Sequence, residues 1–259
     1  MDDRMTTTLR LAAGDVAAAL GLLSRLPVRV DVARATARGP RAAWAWPVAG
    51  AIVAALAAAG GALALGAGLP PLAAATLVIG LQAMLTGAMH EDGLCDCADG
   101  FWGGWTPARR IEIMRDSHAG TFGILALVLT VLLRASALAA LMAAGGWIAA
   151  LIALGAASRV PMAALQSALP PARPGGLSDR TGRPPGDTVA LAAALGLAAL
   201  LLGAGPGGGL AVALTLLAVT ALWGAFARAR IGGQTGDVLG AAQQLSETAG
   251  LLALAALAA

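Results

Sequence analysis

Seven apolar stretches, at about residues 44–67, 71–89, 121–143, 147–168, 188–204, 209–227 and 237–258, set the terms for everything else in the chain. Each runs close to the roughly 20 residues that carry a helix across a bilayer. Their connections alternate in character. Arg25, Arg29, Arg34, Arg38 and Arg41 precede the first stretch, Arg109, Arg110 and Arg115 follow the second, Arg173, Arg180 and Arg183 follow the fourth, and Arg228 and Arg230 precede the seventh. The other connections, near 68–71, 144–146 and 204–208, are Gly, Pro, Leu and Ala without a charge. Arginine-bearing loops stay on the cytoplasmic side. The pattern therefore predicts an all-α, polytopic transmembrane helix bundle in one integral membrane domain, 1–259, about seven spans deep. With 58% hydrophobic and only 12% charged residues, a soluble domain is excluded. A net charge of +3, spread over topogenic loops, gives no nucleic-acid surface.

Residues 1–24 hold a shorter apolar segment broken by Asp15, expected as an interfacial or re-entrant helix. Asp2, Asp3 and Asp15 rule out the pattern of a cleavable signal peptide. Trp44 and Trp46 mark the interface before the first span.

The second span runs into the most charged part of the chain. Residues 90–123 hold six of the fourteen acids and three arginines. On a continuing helix, Asp92, Asp96 and Asp99 stand at i, i+4 and i+7, on one face. Gly93 and Gly100 clear space beside them. Carboxylates so close repel one another unless cations or protons offset them. Oxygen donors at a membrane surface suit Mg²⁺ or Mn²⁺, bound together with substrate phosphates. Asp116, after a Gly103-Gly104 turn and a short helix, is the expected fourth carboxylate. Arg109, Arg110, Ser117 and Thr121 are candidate phosphate ligands, and His90 a further substrate contact at the start of the 90–120 catalytic stretch. Cys95-x-Cys97 lacks the usual zinc spacing, and on the reducing side of a membrane it forms no disulfide framework. A solvated loop of paired Asp and Arg would leave the helical register of the three acids without a cause.

Two cytoplasmic loops remain. Residues 169–187 are Pro/Gly-rich and suit either a lid or a linker. Residues 228–236 lead Arg228 through Gly232-Gly233-Gln234-Thr235-Gly236 to Asp237, an anion cradle at a helix start without the ending of a P-loop, in which Asp237 could equally cap the helix. Gln243, Gln244, Ser246 and Glu247 continue it as a polar stripe. Arg134 and Arg159 fall inside apolar spans and need partners there, with Glu247 or another buried acid the expected mate of Arg134.

Together these motifs resemble the adenosylcobinamide-GDP ribazoletransferases, also called cobalamin phosphate synthases. The residues concerned are 90–100, 112–123, 232–241 and the early Ser24-Arg25-Leu26-Pro27-Val28. Glu91 stands where that family usually has an apolar residue, and Cys95 and Cys97 where it has small or hydroxyl ones. The resemblance implies a Mg²⁺-dependent enzyme of the late cobalamin pathway, placed in a cell inner membrane with its site on the cytoplasmic side. It would join adenosylcobinamide-GDP to α-ribazole or its 5′-phosphate and release GMP. Asp92, Asp96 and Asp99 would hold the metal, with Asp116 a further ligand or the base, and Gln234, Thr235 and Asp237 would hold a base or ribose; Arg228 and Glu247 complete the candidate substrate contacts. Partners would be these small molecules, the lipid bilayer, and a homo-oligomer or pathway complex. The competing chemistries are a CDP-alcohol phosphotransferase or prenyltransferase, whose Asp-Gly-x-x-Ala-Arg pattern is missing, and a cation transporter, which would place its acids near the bilayer midplane.

Overall fold

A computed structural model describes residues 3–258, with side chains from Leu11 onward. It is built of helices α1 (Asp3–Leu23), α2 (Val32–Arg38), α3 (Trp46–Gly66), α4 (Pro71–Thr86), α5 (Met89–Gly103), α6 (Pro107–Ile113), α7 (Thr121–Ala144), α8 (Trp147–Ala157), α9 (Val160–Ala168), α10 (Leu177–Thr181), α11 (Gly186–Gly203), α12 (Gly205–Ile231) and α13 (Gly236–Ala258), with a 3-10 turn at Gly39–Ala45 between α2 and α3. No strand is present among the described residues.

Each of the seven apolar stretches is helical, but by length and apolarity alone five runs qualify as spans, six if α4 and α5 count as one broken span. α13 falls outside that count because of its polar stripe, which is buried within the bundle. Leu132, Leu202, Leu214, Leu217 and Leu222 are exposed on α7, α11 and α12, an apolar outer face of the kind a membrane span presents.

Small residues set the helix spacing. A side chain at Gly50 of α3 would run into the Gly155 carbonyl of α8, so these two backbones meet directly. The fourth stretch is broken between α8 and α9, where Pro161 supplies no backbone N–H. Arg159 Nη1 donates to the Gly155 carbonyl at 3.0 Å and Ser158 Oγ to the same oxygen at 3.3 Å, satisfying an acceptor that the break exposes. At the N-terminus, buried Asp15 accepts from Arg38 Nη2 at 2.6 Å and Trp44 Nε1 at 2.8 Å, fastening α1 to the turn before α3.

The arginine-bearing loops gather at one end. Arg110 Nη1 donates to the Arg230 carbonyl at 2.9 Å, Arg25 N–H to the Leu85 carbonyl at 2.7 Å, and Pro171 bridges to Gln234. Gly87 and Ala88, both with positive φ of 67° and 56°, turn α5 by 92° out of the line of α4. That bend carries the acidic helix across the starts of α7 and α13.

Candidate active site

α5 packs so tightly on α13 that a Cβ at Gly93 would lie 2.7 Å from the Asp237 carbonyl oxygen. Its acids face the arginine-bearing end: Asp92 is exposed, Asp96 and Asp99 half-buried. The carboxylate of Asp96 stands in the field of Asp92, Asp237 and Asp99, with Arg173 as the opposing cation. Asp96 and Asp237 line an open cleft of about 460 Å³, walled by Met114, Arg115, Arg173 and Gly176. Asp237, and not Asp116, is the carboxylate that the fold sets beside Asp96 on this cleft.

Asp116 is turned to solvent and holds His118 Nδ1 at 2.6 Å. That contact lowers the Asp116 pKa and raises that of His118 above the ordinary imidazole value, each favouring its charged form. Asp99 has a task of its own. Its two oxygens accept the N–H groups of Gly120 at 2.7 Å and Gly123 at 2.9 Å, capping the start of α7, and a Cβ at Gly123 would overlap it. Asp99 thus ties α5 to α7.

Among the described residues, no three His, Cys, Asp or Glu side chains converge closely enough to hold a metal by themselves. The donor set nevertheless fits a hard divalent cation of the kind that takes one or two carboxylates and completes its shell with substrate phosphates and water. Cys95 and Cys97 are buried free thiols.

The predicted phosphate ligands separate. Arg110 donates to the Gly104 and Arg230 carbonyls and is structural. Arg109 pairs with Glu112 at 2.8 Å in solvent. Ser117, Thr121 and Arg228 are exposed around the acidic end. The arginines on the cleft are instead Arg115 and Arg173. Arg173 arrives because the loop after α9 is stitched to the α12–α13 turn, with Ala172 N–H on the Gln234 carbonyl at 2.8 Å and Gln234 N–H on the Pro170 carbonyl at 2.9 Å. Thr235 caps α13, its Oγ1 accepting from Val238 N–H at 3.3 Å and donating to Asp237 Oδ2 at 3.1 Å. The Gln234 side chain is buried, with Oε1 unpartnered. Glu247 is 1% exposed and enclosed by Arg134 Nη2 at 2.7 Å, Arg159 Nη1 at 3.1 Å, Gln82 Nε2 at 2.9 Å and Gln243 Nε2. No room remains there for a substrate, so its partnership with Arg134 is structural.

The family model described as Cobalamin-5-phosphate synthase matches residues 15–255. Adenosylcobinamide-GDP ribazoletransferases of Brucella ovis and Brucella canis are each 48% identical over 249 residues, covering 93% of this chain and 96% of theirs. No solved structure matches.

Proposed function

The chain belongs to the cobalamin-5-phosphate synthase family, and from that premise we propose how its α5–α13 cleft performs the transfer. The enzyme joins the cobinamide of adenosylcobinamide-GDP to α-ribazole, or to its 5′-phosphate, with GMP as the other product. The observation that carries the assignment to this cleft is the pairing of excess carboxylate, from Asp92, Asp96 and Asp237, with two arginines at its wall. Acids alone would repel a diphosphate and arginines alone would need no acids.

Arg115 and Arg173 receive the diphosphate oxygens, through the planar guanidinium fork. Asp92 and Asp96 would hold Mg²⁺, which would supply positive charge to offset that building on the departing phosphate. The ribose hydroxyl of ribazole attacks the phosphorus joined to cobinamide, a new P–O bond forms, and the bond to GMP breaks. Asp237 takes the hydroxyl proton on Oδ1, because Oδ2 is engaged by Thr235. Asp99 and Gly123 keep α5 and α7 in register while this happens. The reacting end faces the cytoplasm, as the arginine loops require in an inner membrane.

Purified protein in liposomes, given adenosylcobinamide-GDP, α-ribazole and Mg²⁺, should release one GMP per corrinoid joined, and none when the divalent cation is chelated. GMP release that persists unchanged under chelation would remove the metal from the account.

A further inference from the structure

α5 and α13 meet over glycine. A Cβ at Gly93 would press on the Asp237 backbone, and one at Gly240 would stand 3.3 Å from both the His90 Cα and the Met89 carbonyl oxygen. Glycine lets two helices approach closely, but it puts no side chain into the neighbour to fix their rotation. α5 also hangs from the Gly87-Ala88 turn, where Ala88 has a φ of 56°, a region that residues with a side chain rarely adopt. A short helix on such a hinge needs another contact to set which way its acids point.

At the far end of α5 that contact is Asp99, bound to the N–H groups of Gly120 and Gly123. In the first turn it is Glu91. Glu91 Oε1 accepts from Gln244 Nε2 of α13 at 2.8 Å and lies 3.8 Å from Arg134 Nη1 of α7. Gln244 stands seven residues past Asp237, two helical turns on and along the same face of α13. Glu91 therefore indexes the first turn of α5 against the helix face that carries Asp237, and Asp92 and Asp96 lie between the two fixed points.

Stability gives no reason for a carboxylate at this position. Glu91 Oε2 is buried and meets no partner among the described residues, an unfavourable arrangement. No neighbour depends on Glu91 for its hydrogen bonds. Without it Arg134 keeps Glu247 at 2.7 Å, Gln82 at 2.9 Å and Gln244 at 2.7 Å, and Gln244 Nε2 keeps Gln243 Oε1 at 3.0 Å. Glu91 is not among the residues that line the cleft. A part-buried acid that rescues no stranded donor and reaches no reacting group is explained by what it orients.

We propose that Glu91 is a positioning residue: by gripping Gln244 and Arg134, its carboxylate fixes the rotation of α5 so that Asp92 and Asp96 stand beside Asp237 at the cleft. This rests on the cleft assigned above and adds the contact that keeps its two helices in register.

The test uses the full chain in liposomes with adenosylcobinamide-GDP, α-ribazole and Mg²⁺. Glu91→Leu should lower kcat for GMP release by about 10- to 100-fold, since a displacement of about 1 Å at the reacting groups carries a loss of that order. Both Michaelis constants should stay within about twofold, because no substrate contact is removed. The unfolding temperature should stay within about 4 °C of the wild type, as no buried donor is stranded. Glu91→Gln keeps an oxygen for Gln244 and should hold kcat within about threefold of the wild type. An unchanged kcat in Glu91→Leu, a kcat loss matched by a fall in unfolding temperature, or a Glu91→Gln as impaired as Glu91→Leu overturns the proposal. Asp96→Asn measured alongside separates the two readings. If it loses GMP release while Glu91→Leu does not, the cleft stands and the positioning role falls; if it keeps full release, the cleft falls and the positioning role with it.

Discussion

Two charged clusters sit in this apolar bundle, their α13 acids Asp237 and Glu247 being 10 residues apart, and both set carboxylates against arginines. Around Glu247 the charges close on themselves: Arg134, Arg159, Gln82 and Gln243 occupy both carboxylate oxygens, and the group is buried. Around Asp96 the charges do not close. Acids outnumber the nearby arginines, the cleft is open, and Asp237 keeps an oxygen free of protein partners. The lesson is that saturation, and not charge as such, separates a cluster that holds helices together from one that is ready for a ligand.

The contrast can be broken at several points. Glu247→Gln strands Arg134 and Arg159 in the interior and should cost about 3–5 kcal/mol of stability, read as a large fall in the unfolding temperature in detergent. A stability loss below about 1 kcal/mol would mean that the cluster is hydrated rather than closed. Gly93→Ala sets a Cβ 2.7 Å from the Asp237 carbonyl oxygen, and the backbone there cannot swing aside as a flexible side chain would. Overpacking of that kind should cost about 1–3 kcal/mol and slow GMP release, because it parts Asp92 and Asp96 from Asp237.

Smaller effects define the edge of the site. Arg109→Ala removes a solvent pair with Glu112 and should change stability by less than about 0.5 kcal/mol. At His118 the expected readout is a titration. Its raised pKa means that the imidazolium persists above the ordinary pH, so the Asp116–His118 attraction is fully present below the unperturbed imidazole value and is lost as pH rises through the raised one. Asp116→Asn should return His118 toward that ordinary value, which NMR can follow cleanly in a chain with two histidines.

The sequence made some of this legible for definite reasons. Helical periodicity placed Asp92, Asp96 and Asp99 on one face, and the cost of an intramembrane charge pointed Arg134 to Glu247. Asp237 was visible as a helix-start residue but not as the carboxylate beside Asp96, because its approach depends on Gly93 and on the 92° bend at Gly87-Ala88, where alanine gives no warning of a left-handed turn. Asp116 sat nearer in sequence and was the natural candidate, yet its loop faces solvent. Arg173 had no local signal at all. Two backbone hydrogen bonds between residues 170–172 and Gln234 bring it in, and backbone pairing between distant loops leaves no mark in composition. Asp99 shows the reverse case: its position was legible, but its bonds to Gly120 and Gly123 were not.

The most direct test of the open acidic cleft is a paired measurement on Asp96→Asn, taking GMP release in liposomes and the unfolding temperature on the same preparation. The account predicts a rate lower by at least about 100-fold, the scale of losing a group that stabilises transferring charge. It also predicts an unfolding temperature unchanged or slightly raised, since one repelling carboxylate is gone. Full activity in Asp96→Asn, or a rate loss explained by a fall in unfolding temperature, would contradict it.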